Sequence, residues 1–236
     1  MNRGQLVFEC SRALGLDDTA SGDELTLMQR WANRGVKDVL LRTYCYVDLG
    51  DMTLSAAVTD YRIDSSILAI RNMHVTSATD TSQVSPLPIV DMQTVDEYLD
   101  ANPAAADPTM AAFYGTLLRV APTPSGANVI RFYYTPNPSD MTDDTHDPSN
   151  ATYGGIPAEY HEGILYYMLW KGAEYDDKQA ALSPKEYRQA YEGLLADIRK
   201  QLRKKSGRGL NPARVGYPMH SRFGTSRNDV YPDPRR

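Results

Sequence analysis

Four consecutive pieces between residues 127 and 205 decide the fold: ANVIRFYYTPNP (127–138), SDMTDDTHDP (139–148), GIPAEYHEGILYYMLWKGAEY (155–175) and SPKEYRQAYEGLLADIRKQLRKK (183–205). The first sets β-branched and aromatic residues between proline breaks and predicts a strand. The second is an acidic loop. In the third, Pro157 suits a first helical turn, where its missing N–H costs nothing. Tyr160, Ile164, Tyr167, Met168 and Lys171 run down one side of that helix, and Leu165, Leu169 and Trp170 widen its apolar surface. The fourth opens on Ser183-Pro184-Lys185-Glu186, a capping box with proline at the first helical position. Tyr187, Tyr191, Leu194, Leu195, Ile198 and Leu202 then form one stripe, whose burial is worth roughly 10–15 kcal/mol before entropy is subtracted. Lys200, Arg203, Lys204 and Lys205 complement the C-terminal dipole, and Gly207 ends the helix. The linker GAEYDDKQAALS predicts that the two helices lie antiparallel.

The N-terminal part is also helical in pattern. Residues 3–14 place Leu6, Val7, Cys10 and Leu14 on one face, followed by Gly15 as a stop. A longer helix is predicted over Asp23–Arg42, with Leu25, Met28, Trp31, Ala32, Val36, Val39 and Leu40 in helical register and Asp23 and Glu24 in its first turn. Gly35 costs this helix up to about 1 kcal/mol relative to Ala and calls for a close helix crossing. Between Thr43 and Tyr153 the pattern changes to short β-runs: TYCYVDL, SAAVTDYRI, SILAIRNMHV, GTLLRVAP and NVIRFYYTP. PTPSGA reads as a hairpin loop joining the last two. MQTVDEYLDAN predicts one helix, with Val95, Tyr98 and Leu99 on a face, and NPAAADPTM reads as a loop.

The expected fold is therefore α+β. Residues 1–46 and 154–206 supply a helical bundle, residues 47–153 an inserted small antiparallel β-sheet or sandwich, and residues 207–236 an extended basic tail. A chain of 236 residues with 42% hydrophobic content can bury a sizeable core. The apolar run in MNRGQLVFECSRALG is too short for a signal peptide, and no run approaches a membrane span. Cys10 and Cys45 form no CxxC pair and read as buried thiols, consistent with folding in a reducing cytoplasm.

Catalytic signatures are missing: the chain has no nucleophile elbow, P-loop, GxGxxG or HExxH. No cofactor is expected. His74, His146, His161 and His220 are scattered, so a shared metal site is not indicated, and His161 beside Glu162 reads as a surface or interface pair. Asp140, Asp143, Asp144, His146 and Asp147 offer hard ligands for a divalent cation, but their spacing does not match an EF-hand. A solvated, mobile loop is the better expectation for residues 139–148.

The charge is segregated. From Arg199 onward eleven basic residues face two acidic ones, a net +9, which leaves −14 on the body of a chain whose total is −5. From Gly207 onward four prolines and four glycines deny regular structure. Yet Leu210, Val215, Tyr217, Met219, Phe223, Val230 and Tyr231 are spaced along it like anchors of a docking arm that folds on binding. Such a tail also has the composition to grip nucleic acid without sequence preference, although the acidic body opposes that.

The chain resembles the head-to-tail connector, or adaptor, proteins of tailed bacteriophages, in the type that carries a β-insertion between helical segments. The resemblance rests on four pieces in order: LTLMQRWANRGVKDVLLRTYCYVD (25–48), with an Asn in mid-helix; AAVTDYRIDSSILAIRNMHV (56–75); FYGTLLRVAPTPSGANVIRFYYTPNPSDMTDD (113–144); and GIPAEYHEGILYYMLWKGAEYDD (155–177). The chain departs from the pattern at Ile156-Pro157-Ala158-Glu159-Tyr160 and in its long Arg-rich tail. The resemblance implies a structural, non-enzymatic virion protein at the head–tail junction. It implies a homo-oligomeric ring, usually of twelve copies, bound to the portal protein above and to a tail, stopper or nozzle protein below. DNA would pass through the lumen without being read, and no membrane would be involved. The tail residues assigned to portal or neighbour docking are Arg208, Arg214, Tyr217, Met219, Arg222, Phe223, Arg227 and Tyr231. The alternative is a sequence-independent DNA-binding module that uses the same tail.

Overall fold

The two ends of the chain build one hydrophobic core and its middle builds another. A computed structural model describes residues 1–16, 22–77, 79–80, 82–175 and 181–205. Within these, the helical body consists of α1 (Arg3–Ala13), α2 (Asp23–Thr43), α4 (His161–Tyr175) and α5 (Pro184–Lys205). The inserted part holds β1 (Asp48–Thr53), β2 (Asp60–Arg62), β3 (Ile67–Thr76), β4 (Val84–Pro86), α3 (Met92–Ala101), β5 (Met110–Tyr114), β6 (Leu117–Ala121) and β7 (Val129–Pro136). The α+β expectation of a helical bundle with a β-insert is met.

Three of the helices start at a side-chain cap, whereas α2 follows Gly22 without one. Asn2 caps α1 through a reciprocal box with Gln5, and Asp91 caps α3 by accepting from Thr94 N–H. Ser183 and Glu186 form the predicted box at α5, with Ser183 N–H donating to Glu186 Oε2 at 2.8 Å. Leu6, Cys10, Val36, Val39, Leu40, Ile164, Met168, Tyr191 and Leu195 meet in the shared helical core. The α4–α5 pair is antiparallel: Gly163 approaches Leu194 and Ile198, while Trp170 stacks on Tyr191. Gly35 sits at the α2–α4 crossing, where a Cβ would lie 3.1 Å from Tyr167 Cδ1 and 3.2 Å from Ile164 Cγ2.

The insert is a two-layer sandwich. One sheet has the order β1-β7-β3-β4 and the other β2-β6-β5. Met73, Val75, Ile130 and Phe132 of the first face Ala111, Leu118 and Val120 of the second. Alternation along β5 and β6 turns Ala112 and Ala121 to the outside, where Val95 of α3 covers them.

Several sequence expectations change. PTPSGA is not a hairpin loop, because β6 and β7 belong to different sheets and the segment crosses between layers. The two-residue hairpin is instead Gly115-Thr116 between β5 and β6, where Tyr114 pairs with Leu117 and Gly115 takes φ +59°. The strand expected at TYCYVDL starts at Asp48, because α2 runs on to Thr43, whose buried hydroxyl donates to Val39 O at 2.7 Å. SAAVTDYRI yields only Asp60–Arg62 as strand, and β4 and most of β5 arise in segments without a clear β-run. Cys10 is buried, and burial pushes its thiol up to about 12, whereas Cys45 is only partly buried.

Candidate interaction site

The described residues contain no group of three or more His, Cys, Asp or Glu arranged to hold a metal. No described helix is long and apolar enough to cross a membrane. The polar chemistry concentrates where the start of the chain meets the acidic loop, the start of α4 and the end of α5.

The acidic loop is pinned rather than freely solvated, which corrects the expectation for residues 139–148. Met141 is 1% exposed and fills the helical core, so the loop backbone must enter the bundle with it. Its polar groups are satisfied there by Asn33 from mid-α2. The Asn33 side-chain oxygen accepts from Met141 N–H at 2.8 Å, and its NH2 donates to Met141 O at 3.4 Å. Arg3, 6% exposed, donates to Met141 O at 2.8 Å and to Asp144 Oδ1 through Nη2 at 2.7 Å. Arg3 and Gly4 N–H groups donate to His146 O and Asp144 O at 2.8 and 3.0 Å. Lys37 Nζ reaches Asp140 at 2.9 Å. The remaining loop carboxylates bind locally: Asp143 accepts from Thr145 N–H and Asp147 from Ser149 N–H. These carboxylates are therefore spent on the fold.

His161 also departs from expectation. It is fully buried, not a surface partner of Glu162. Ile156 O lies 3.0 Å from its Nε2 and can only accept, so Nε2 carries the proton. Nδ1 is then the acceptor for the Met1 amine at 2.8 Å. Burial holds the imidazole below its ordinary pKa, and the nearby Met1 charge adds to that. His146 stacks on Tyr153 and accepts through Nδ1 from Thr142 N–H at 3.2 Å. His74 lies edge-on to Tyr133 in the first sheet, and His220 is outside the described residues.

At the far end of α5, Arg199, Lys200, Arg203 and Lys204 line one shallow concavity with Ala196. Lys205 pairs with Glu159, two residues before α4. Arg42 of α2 forms a two-pronged bond to Glu192, and the Tyr191 hydroxyl donates to Asp38, which ties α2 to α5. The docking residues read from sequence, Arg208, Arg214, Tyr217, Met219, Arg222, Phe223, Arg227 and Tyr231, all lie outside the described residues.

A family model described as SU10 adaptor protein matches residues 1–216. The chain belongs to the SU10 adaptor family. This is a family of phage head-to-tail adaptors, and the match spans both halves of the helical body, the whole β-insert and the first part of the tail. A search of curated proteins gives no match. Among SU10 adaptor features, sequence reasoning noted the mid-helix Asn33 without a role for it; the structure gives that role as the anchor of the acidic loop.

Proposed function

We propose that this adaptor forms a ring of twelve copies beneath the portal of a tailed phage and joins the head to a tail, stopper or nozzle protein. The family match over residues 1–216 carries this reading. DNA passes through the lumen without sequence recognition, and the protein performs no catalysis. The division of labour follows the sequence: residues 1–46 and 154–206 form the packed body, 47–153 the insert, and 207–236 the docking strap. A net −14 body weakens the counterion-release attraction that would make DNA stick in a channel. The +9 C-terminal end seeks an acidic cleft of the portal or of a neighbouring copy, and each copy in a ring adds its contact to the others.

The test is removal of residues 208–236. The truncated protein should melt like the full chain and fail to co-sediment with portal rings. Assembly of the truncated protein on portals would overturn the proposal. A second reading, sequence-independent DNA binding, is favoured by the concavity of Arg199, Lys200, Arg203 and Lys204. It requires salt-dependent binding of the purified protein to duplex DNA that weakens on removal of the tail and is lost when Arg199, Lys200, Arg203 and Lys204 are neutralised as well.

A further inference from the structure

An edge strand exposes a row of unpaired N–H and C=O groups, and proteins blunt such edges with prolines, lysines, bulges, short strands or covering segments. Three of the four edges here are blunted. β4 is three residues long and ends at Pro86, and β2 is also three residues long. β5 is flanked by residues 88–90, with Val90 N–H donating to Ala111 O at 2.8 Å and Ala111 N–H to Pro88 O at 3.0 Å.

β1 is different. It has six residues, DLGDMT, with no proline and no lysine, and its register with β7 is unbroken from Asp48↔Tyr134 to Thr53↔Val129. The ladder continues with Leu54 N–H donating to Asn128 O at 2.7 Å. Bonded pairs alternate in an antiparallel ladder. Asp48, Gly50 and Met52 therefore turn their backbone groups to β7, and Leu49, Asp51 and Thr53 turn theirs outward. The Leu49 N–H is taken by Asp48 Oδ1 at 2.8 Å, which leaves Asp51 and Thr53 to offer the edge. Leu49 is 49% exposed beside Tyr133 at 39%, so the same edge presents an apolar pair.

The tail contains a matching pattern. In ARVGYPMH (213–220), Val215, Tyr217 and Met219 alternate at the period of a strand. Pro218 stands between two of them. If the odd-numbered residues make the ladder bonds, Pro218 points away from the edge, which is the position a strand proline tolerates. The segment carries Arg214 and no acid, whereas the edge carries Asp48 beside an Asp51 that Arg131 of β7 already holds at 2.8 and 3.0 Å.

We propose that residues 213–219 of one copy add as an antiparallel strand to β1 of a second copy, with Val215, Tyr217 and Met219 beside Leu49 and Tyr133. This rests on the adaptor reading, because exchange of one surface onto a different surface of the next copy is the contact type that closes a ring. The eight residues between Lys205 and Arg214 span at most about 28 Å, which sets the widest gap to the neighbour's β1 that the strap bridges.

The test uses the full chain with Cys45→Ser and Thr53→Cys. Single cysteines are added in turn at positions 214 to 219, the protein is oxidised, and non-reducing gels are run alongside co-sedimentation with portal rings. Buried Cys10 stays in place. Between-copy cross-links should be at least fivefold stronger for Val215→Cys, Tyr217→Cys and Met219→Cys than for Arg214→Cys, Gly216→Cys and Pro218→Cys. Equal yields at all six positions, closure only within one copy, or no cross-link would each overturn the proposal. If those variants still sediment with portals, the adaptor reading stands and only the strand addition fails; loss of sedimentation in the full chain counts against the adaptor reading itself.

Discussion

Asn33 and Met141 are bonded in both directions across 108 residues of sequence, amide oxygen to N–H at 2.8 Å and amide NH2 to carbonyl at 3.4 Å. This exchange lets a loop backbone enter a helical core without orphaned groups. Asn33→Leu removes both partners and should cost about 1–3 kcal/mol. Urea melts measure the loss, and hydrogen exchange should show lowered protection at residues 139–147. Unchanged protection there would mean that Asn33 does not hold the loop.

The Arg3–Asp144 pair is asymmetric, with side chains 7% and 66% exposed. Arg3 also serves Met141 O, so Arg3→Ala leaves that buried carbonyl only the 3.4 Å bond from Asn33, while Asp144→Ala mostly removes a solvated carboxylate. The first should cost about 2–3 kcal/mol and the second less than about 1 kcal/mol. Equal losses would show that the ion pair itself dominates.

His161 makes stability depend on pH. Its folded pKa lies below its unfolded value of about 6.5, so the unfolded state binds the proton more readily. The contribution is complete above that unfolded value and is lost as pH falls through the folded pKa. The groups facing the ring are the Met1 amine, Asp147, Ser149 and Ile156 O. Melting temperatures of the parent should drop between pH 7 and 5, and His161→Gln should flatten that drop while lowering stability at pH 7.

Two helical glycines predict opposite outcomes. Gly193 of α5 has nothing within 4 Å of a built Cβ, so Gly193→Ala should stabilise by up to about 1 kcal/mol. Gly35 is closed in by Tyr167 and Ile164, so Gly35→Val should destabilise by about 1–3 kcal/mol. Thermal melts of the two single variants decide it.

The helices were legible because their signals are local: the Ser183–Glu186 box, the stripe from Tyr187 to Ile198, and the crossing marked by Gly35. The division into two sheets was not legible. GTLLRVAP and NVIRFYYTP read as neighbours in one hairpin, and only the packing of Leu118 and Val120 against Ile130 and Phe132 separates them into layers. The anchors of the acidic loop were hidden for a related reason. Arg3, Asn33 and His161 bind residues far away in sequence, and a lone Asn or His carries no mark of its partner. The tail signals, charge and alternation, are compositional and carry no mark of a surface that would receive them.

The anchoring of the acidic loop on Arg3, Gly4 and Asn33 also sets an order of events during synthesis. α1 and α2 emerge first, but their apolar faces are completed by Met141, Ile164, Met168, Tyr191 and Leu195, supplied about a hundred residues later or more. The sandwich takes its buried core from residues 54–132, so its packing partners are all present before the C-terminal helices are made. Such long-range closure is slow compared with local helix formation. A chain halted before α5 therefore carries a finished insert and an open helical face, so the adaptor becomes competent to join a particle only once nearly its whole length has been translated.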